Sequence, residues 1–213
     1  MSGAFNVIYE DEHLLVLDKP SGLLSIPGRG PDKQDCLLAR VQAAHPETLL
    51  VHRLDMATSG LLIMARSPQV QKQLGQCFEK RGILKHYQAV VLGNMGSEGD
   101  TGLIDLPVRI DWLNRPRSII CHQNGKPSQT RWTNLGAGPW TGTTRLLLEP
   151  HTGRTHQLRV HTLALGHAIV GDPLYAPADA PVTSTRLLLH AWQLQLPHPV
   201  TGVAMHWQAP LPF

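Results

Sequence analysis

The sequence predicts an α+β fold built mainly on antiparallel sheet. Three observations lead there. Seventeen prolines and nineteen glycines in 213 residues demand many turns and leave little room for long helices. Strand-like segments come in runs, with only a few helical patterns between them. No βαβ series is visible, so an extended parallel sheet is not expected.

The elements follow in order. Val7 to Tyr9 and Leu14 to Leu17 read as strands joined by the acidic turn Glu10-Asp11-Glu12, and Lys19-Pro20-Ser21-Gly22 breaks the chain. Asp35 is placed to cap a helix on which Leu37, Leu38 and Val41 share a face, with Pro46 beyond its end. LLIMA (61–65) reads as a buried strand. Ser67 as N-cap and Pro68 at the first helical position then open a helix with Val70, Leu74, Cys77 and Phe78 at helical spacing, closed by Gly82. His86 to Leu92 returns to strand. Asn124-Gly125 between Ser118–His122 and Gln129–Asn134 carries a strong hairpin signal. Arg145 to Glu149 is a further strand, and Thr155 to Leu165 a short helix ended by Gly166. Leu187 to Leu196 and Val203 to Gln208 complete the sheet.

Composition narrows the function classes. Hydrophobic residues make up 42% and charged residues 16%, which suits a packed core rather than disorder. No apolar run reaches membrane-spanning length, and the start shows no secretory pattern. Cys36, Cys77 and Cys121 are far apart and odd in number, which suits free thiols in a reducing cytoplasm. No CxxC pair, GxGxxG loop, Walker loop or GxSxG elbow occurs, so no metal or nucleotide cofactor is expected. The net charge is +3, but it is unevenly spread. Residues 109–159 hold Arg109, Arg115, Arg117, Lys126, Arg131, Arg145, Arg154 and Arg159, opposed only by Asp111 and Glu149. Such a surface suits a polyanion, although a solvated basic face explains it equally well.

Two stretches stand out chemically. In His52-Arg53-Leu54-Asp55-Met56-Ala57-Thr58-Ser59-Gly60, an extended backbone points Arg53 and Asp55 the same way. A cation near a partly desolvated carboxylate keeps it ionised, which suits a base or nucleophile. Spacing alone favours a structural Arg–Asp pair. The second, His151-Thr152-Gly153-Arg154-Thr155-His156-Gln157-Leu158-Arg159-Val160-His161, gathers cations at a helix start, where phosphates bind. His156 and His161 are five apart, so a helix does not place them on one face as zinc ligands. A surface helix with ordinary histidines fits equally well. Tyr87 lies in a strand and, by position, reads as a packing residue.

Taken together, DKPSGLLSIPGR (18–29), HRLDMATSG (52–60), KHYQAVVLG (85–93), HTGRTHQLRVH (151–161), GDPLY (171–175) and RLLLHA (186–191) closely resemble the RluA family of pseudouridine synthases. The resemblance runs in order through nearly the whole chain. It implies one catalytic domain, residues 1–213, with the pseudouridine synthase fold and without the separate S4 RNA-binding domain of several members. It implies isomerisation of uridine in structured RNA with no cofactor. By motif position, Asp55 matches the catalytic aspartate and Arg154 the basic residue paired with it. Tyr87 matches the tyrosine packed on the flipped base, and Arg53 the arginine that enters the RNA stack. Leu189 falls in the pocket-lining motif, and His52 and Thr58 flank the aspartate as substrate-binding candidates. Whether Asp55 attacks the sugar or removes its 2′ proton stays open. The short chain and Met56-Ala57 look most like the dual-specificity members, which act on a 23S rRNA loop and the anticodon stem-loop of certain tRNAs. A relative specific for another tRNA uridine, an inactive RNA chaperone and a histidine-based metal hydrolase are the alternatives. With five Trp, three Tyr and three Phe, extended base stacking is not expected. Shape and phosphate readout of a folded loop by a monomer is.

Overall fold

The computed structural model describes residues 5–80 and 82–213. In chain order its elements are β1 (Asn6–Glu10), β2 (Leu14–Lys19), α1 (Leu37–Gln42), β3 (Leu49–Leu50), β4 (Ser59–Ala65), α2 (Pro68–Glu79) and β5 (Leu84–Leu92). There follow β6 (Thr101–Asp105), β7 (Val108–Ile110), β8 (Ser118–Ile120), β9 (Gln129–Ala137), β10 (Thr143–Pro150), α3 (Gln157–Ala164), β11 (Leu189–Pro197) and β12 (Ala204–Gln208). The α+β class is as the sequence predicts. Among the described residues no helix is long and apolar enough to cross a membrane.

The chain divides into two compact units. The first comprises the chain up to Lys85 together with His190–Pro212. Its strands run in the order β1-β2-β4-β11, with β12 also paired to β11 and β3 paired to β4. All seven residues of β4 are buried, which explains its unbroken apolar run. Leu14, Val16, Leu61 and Ile63 form a core with Val70 and Leu74 of α2 and with Trp207. Pairing is antiparallel except between β4 and β11, where Ser59 faces His190 and Gly60 faces Ala191. Gly60 has φ 106°, and a Cβ there would collide with the Ala191 backbone. Only glycine fits this approach.

The α2 start is as its sequence signals: Ser67 Oγ accepts from Val70 N, and Pro68 follows. Gly82 N donates to Cys77 O just past the helix end. The expected Asp35 cap is different. Cys36 is the N-cap, its Sγ accepting from Ala39 N, while Asp35 pairs with Arg40 at 2.7 Å. An aspartate one residue early finds an arginine at i+5 a stronger partner than the helix amides. His52 also belongs to this packing. Its Nε2 accepts from Ile63 N at 3.1 Å and its ring lies 4.7 Å from that of Phe78 on α2. Burial, and then the charge of Lys85, push its pKa down to about 3.

The second unit comprises His86–Leu189 and Phe213. Its sheet runs β5-β10-β9-β6, antiparallel throughout. β7 and β8 form a separate two-stranded ribbon. The hairpin expected at Asn124-Gly125 is therefore not one: β8 pairs with β7, and β9 pairs with β10 and β6. The turn instead returns Lys126 to β7, where its amide and carbonyl both bond Val108. Gly125 is needed for closeness, since a Cβ would strike Cys121 O and Pro107. Nor is α3 a surface helix: Gln157 to Thr162 are all buried. Arg159 spends its charge in a bidentate pair with Asp172, both contacts 2.7 Å, with both side chains almost wholly buried.

Two outcomes follow. Breaking the buried pair with Asp172→Ala strands a guanidinium and costs about 3–5 kcal/mol in urea unfolding, whereas Arg159→Met combined with Asp172→Leu recovers part of that loss. His52 is stabilised in its neutral form. Its contribution is fully present above about pH 6.5 and is lost as pH falls toward about 3. Urea midpoints measured across that window fall more steeply in the wild type than in His52→Gln.

Candidate active site

Asp55 sits half-buried in a loop that runs into β4. The loop is held by its backbone. Ser25 Oγ donates to Leu54 O at 2.8 Å and accepts from Leu54 N at 3.1 Å. On the other side of Asp55, Lys19 Nζ donates to Met56 O at 3.1 Å and Gly22 N to the same oxygen at 2.9 Å. Ser21 Oγ reaches Ala57 O at 2.6 Å. Thr58 N closes the turn onto Asp55 O at 3.1 Å, and its side chain is buried. The same Lys19 ammonium, fully buried, also donates to Pro20 O and Leu23 O. The segment 19–25 is thus a cradle for residues 54–57. A carboxylate on a backbone fixed at both flanks loses little freedom when substrate arrives. Arg53, one residue before Leu54, is exposed and available to a polyanion. His52 is turned to Ile63 and Phe78, so the geometry gives it the task of anchoring the loop.

In the second unit, Tyr87 lies on β5 opposite Leu148 of β10, half-buried. Leu189 is buried at the start of β11, next to Leu188, whose carbonyl accepts from Val90 N of β5. Arg154 is exposed on the loop before α3. That loop is clamped by Gln157, a buried side chain whose Oε1 accepts from Arg154 N and Thr152 Oγ1. Its Nε2 donates to Gln129 O and Thr130 Oγ1. His156 takes the left-handed conformation, φ 56°, at the N-cap of α3. Its Nδ1 lies 2.8 Å from Tyr175 Oη, which also accepts from Ser118 N of β8. His161 is fully buried between Thr130 Oγ1 and Leu106 O, with its pKa lowered by burial. Both histidines therefore have structural partners. The structure thus places Arg53 and Asp55 on one loop of the first unit and Tyr87, Arg154 and Leu189 in the second.

A groove of about 500 Å³ runs beside Arg154, lined also by Arg109, Trp112 and Lys126. Of the basic stretch 109–159, Arg159 is buried away from any surface and Arg145 donates to Phe213 O. Sequence reasoning missed Lys19, Ser25 and Gln157 as residues of the site. The first two lay in the opening motif, and Gln157 in the middle of the arginine-rich one. In each case the function is a bond to backbone, which no spacing rule reports.

Comparison with known proteins identifies the family. The RNA pseudouridylate synthase family model matches residues 13–164. The dual-specificity RNA pseudouridine synthase RluA of Yersinia pestis is 45% identical over 97% of this chain and 99% of its own length. That of Pasteurella multocida is 46% identical over 98% of this chain and 94% of its own. Among solved structures, human RNA pseudouridylate synthase domain containing 1 superposes with a TM-score of 0.83, at 28% identity over 100% of this chain and 86% of that one. The matched span includes residues 55, 87 and 154 and covers more than half of the chain, and the chain belongs to the RNA pseudouridylate synthase family.

Proposed function

We propose that this RNA pseudouridine synthase acts on both a 23S rRNA loop and the anticodon stem-loop of certain tRNAs, with Asp55 as its catalytic carboxylate. The observation that carries the catalytic assignment is the cradle of Lys19, Ser21 and Ser25 around residues 54–57. It fixes the backbone of one carboxylate-bearing residue and spends a buried ammonium to do so. What supports the substrate pair is identity over almost the full length to relatives named dual-specificity enzymes.

The reaction breaks the bond between uracil N1 and ribose C1′, turns the detached base, and joins C5 to C1′. The C5 proton then leaves, and N1, which kept the electron pair of the broken bond, takes up a proton, so that the product is an isomer of the substrate. No electron is gained or lost. A fixed carboxylate serves this chemistry either by attacking C1′ or by removing the 2′ proton. In our reading Arg154 supplies the cation of the reaction, while Tyr87 packs on the loose base and Leu189 lines its pocket. Arg53 takes the place of the expelled uridine in the RNA stack. Unstacking that base costs about a few kcal/mol, less in an unpaired loop. Thr58 shapes the Asp55 turn, and His52 positions the loop instead of touching RNA. In this reading the chain acts as one catalytic domain, a monomer in the cytoplasm.

Release of tritium from 5-tritiated uridine in an anticodon stem-loop and in a 23S rRNA hairpin tests the assignment. Asp55→Asn lowers release from both by about a thousandfold or more while RNA affinity stays within a few-fold. Activity that survives this change removes Asp55 from the mechanism, and release from only one RNA removes the dual substrate. Ser25→Ala leaves Leu54 N and O unpaired in the interior. It lowers kcat by about 10- to 100-fold with KM little changed, because a displaced carboxylate harms the reaction more than binding.

A further inference from the structure

The loop joining β7 to β8, residues 111–117, is built unlike an ordinary surface turn. Trp112 is 64% exposed and Leu113 95% exposed at its tip. Large apolar groups in water usually mark a contact surface. The Arg115 guanidinium carbon lies 3.4 Å from the centre of the Trp112 ring, in stacking contact. With one face covered by Arg115, an indole this exposed keeps its other face open. The loop is also pre-ordered. Asp111 accepts from Leu113 N at 3.3 Å and from Asn114 Nδ2 at 2.8 Å. Asp111 N donates to Arg117 O at 2.8 Å, and Arg117 N to Asn114 O at 3.0 Å.

Its surroundings are cationic. Trp112 lines the same groove as Arg109, Lys126 and Arg154. Lys126 is held against β7 by its backbone bonds to Val108. The ribbon is tied to the Arg154 loop as well, since Tyr175 Oη bonds both Ser118 of β8 and His156. The ribbon and the Arg154 loop thus share an anchor within the second unit.

We propose that Trp112, backed by Arg115, is a stacking platform for one unpaired base of the RNA loop, and that Arg109 and Lys126 hold the phosphates of the same strand on its way to Arg154. An open indole face backed by a guanidinium matches the π-face of a nucleobase, and flanking cations match its backbone. This inference rests on the reading of Arg154 as facing substrate. It adds one aromatic contact to a recognition mode otherwise expected to use shape and phosphates alone.

The test uses full-length protein carrying Asp55→Asn, so that binding is read without turnover. Affinities are measured for the anticodon stem-loop and the 23S rRNA hairpin, intact and with single abasic loop nucleotides. Trp112→Ala is expected to weaken binding of intact RNA by about 5- to 100-fold, and Trp112→Phe to restore most of it. One abasic position is expected to erase the difference between wild type and Trp112→Ala, which identifies the stacked base. Arg109→Gln and Lys126→Gln each reduce the salt dependence of log affinity by about 0.7 per lost phosphate contact. Equal affinity of Trp112→Ala and its parent for every RNA overturns the platform and leaves the proposed function standing. Failure of the parent to bind either intact RNA overturns both.

Discussion

A buried ammonium organises the first unit. Lys19 closes β2 with its side chain wholly out of water, and the bonds to Pro20 O, Leu23 O and Met56 O offset part of that desolvation. Because one of those carbonyls belongs to the loop of Asp55, the loop cannot drift without costing the buried charge one of its bonds. Ser25 adds a second tie through Leu54, and Ser21 a third through Ala57. The strand that follows is fixed in turn, since Gly60 meets Ala191 too closely for any other residue. The catalytic carboxylate we assign therefore hangs on a backbone whose departure is costly at several points at once.

The second unit uses a different device for the same end. Arg159 and Asp172 form a dry, bidentate pair, and Asp172 also accepts from Leu174 N and Tyr175 N. This seats Tyr175, whose hydroxyl reaches both the α3 N-cap at His156 and the ribbon at Ser118. Replacing such a pair with apolar residues need not lower stability. What it secures here is position: Gln157 and Tyr175 together set where Arg154 and the 111–117 loop stand.

Much of the fold was legible in the sequence where a local rule and the tertiary environment agree. Ser67-Pro68 capped a helix, LLIMA made a buried strand, and Val70 and Leu74 faced the core. The failures have particular causes. Asn124-Gly125 makes a tight turn as its composition suggests, but a long-range partner, β7, claims both β8 and Lys126. Asp35 lost the cap because Arg40 offered it a charge. The motifs pointed to Asp55, Tyr87 and Arg154 as candidates, yet the residues that hold the loops of Asp55 and Arg154 stayed hidden. A serine that bonds one carbonyl looks, in sequence, like any other serine.

The basic stretch shows how charge counting misleads and what replaces it. Eight cations between residues 109 and 159 suggested one broad surface for a polyanion. The fold removes Arg159 to the interior and turns Arg145 to Phe213 O, while Arg115 covers an indole. Arg117 lies over the Tyr175 ring and Arg131 on β9, and of the remaining cations Arg109, Lys126 and Arg154 line the groove. Each neutralised phosphate contributes an increment that does not depend on sequence. On the proposed reading that RNA follows this groove, its few cations give arbitrary RNA only weak affinity, and an enzyme that must leave its product gains from that. Discrimination then has to come from geometry: a loop able to offer a uridine for extrusion while the strand beside it follows the groove. The rigid ties through Lys19, Gln157 and Tyr175 are what give such a geometric test its sharpness.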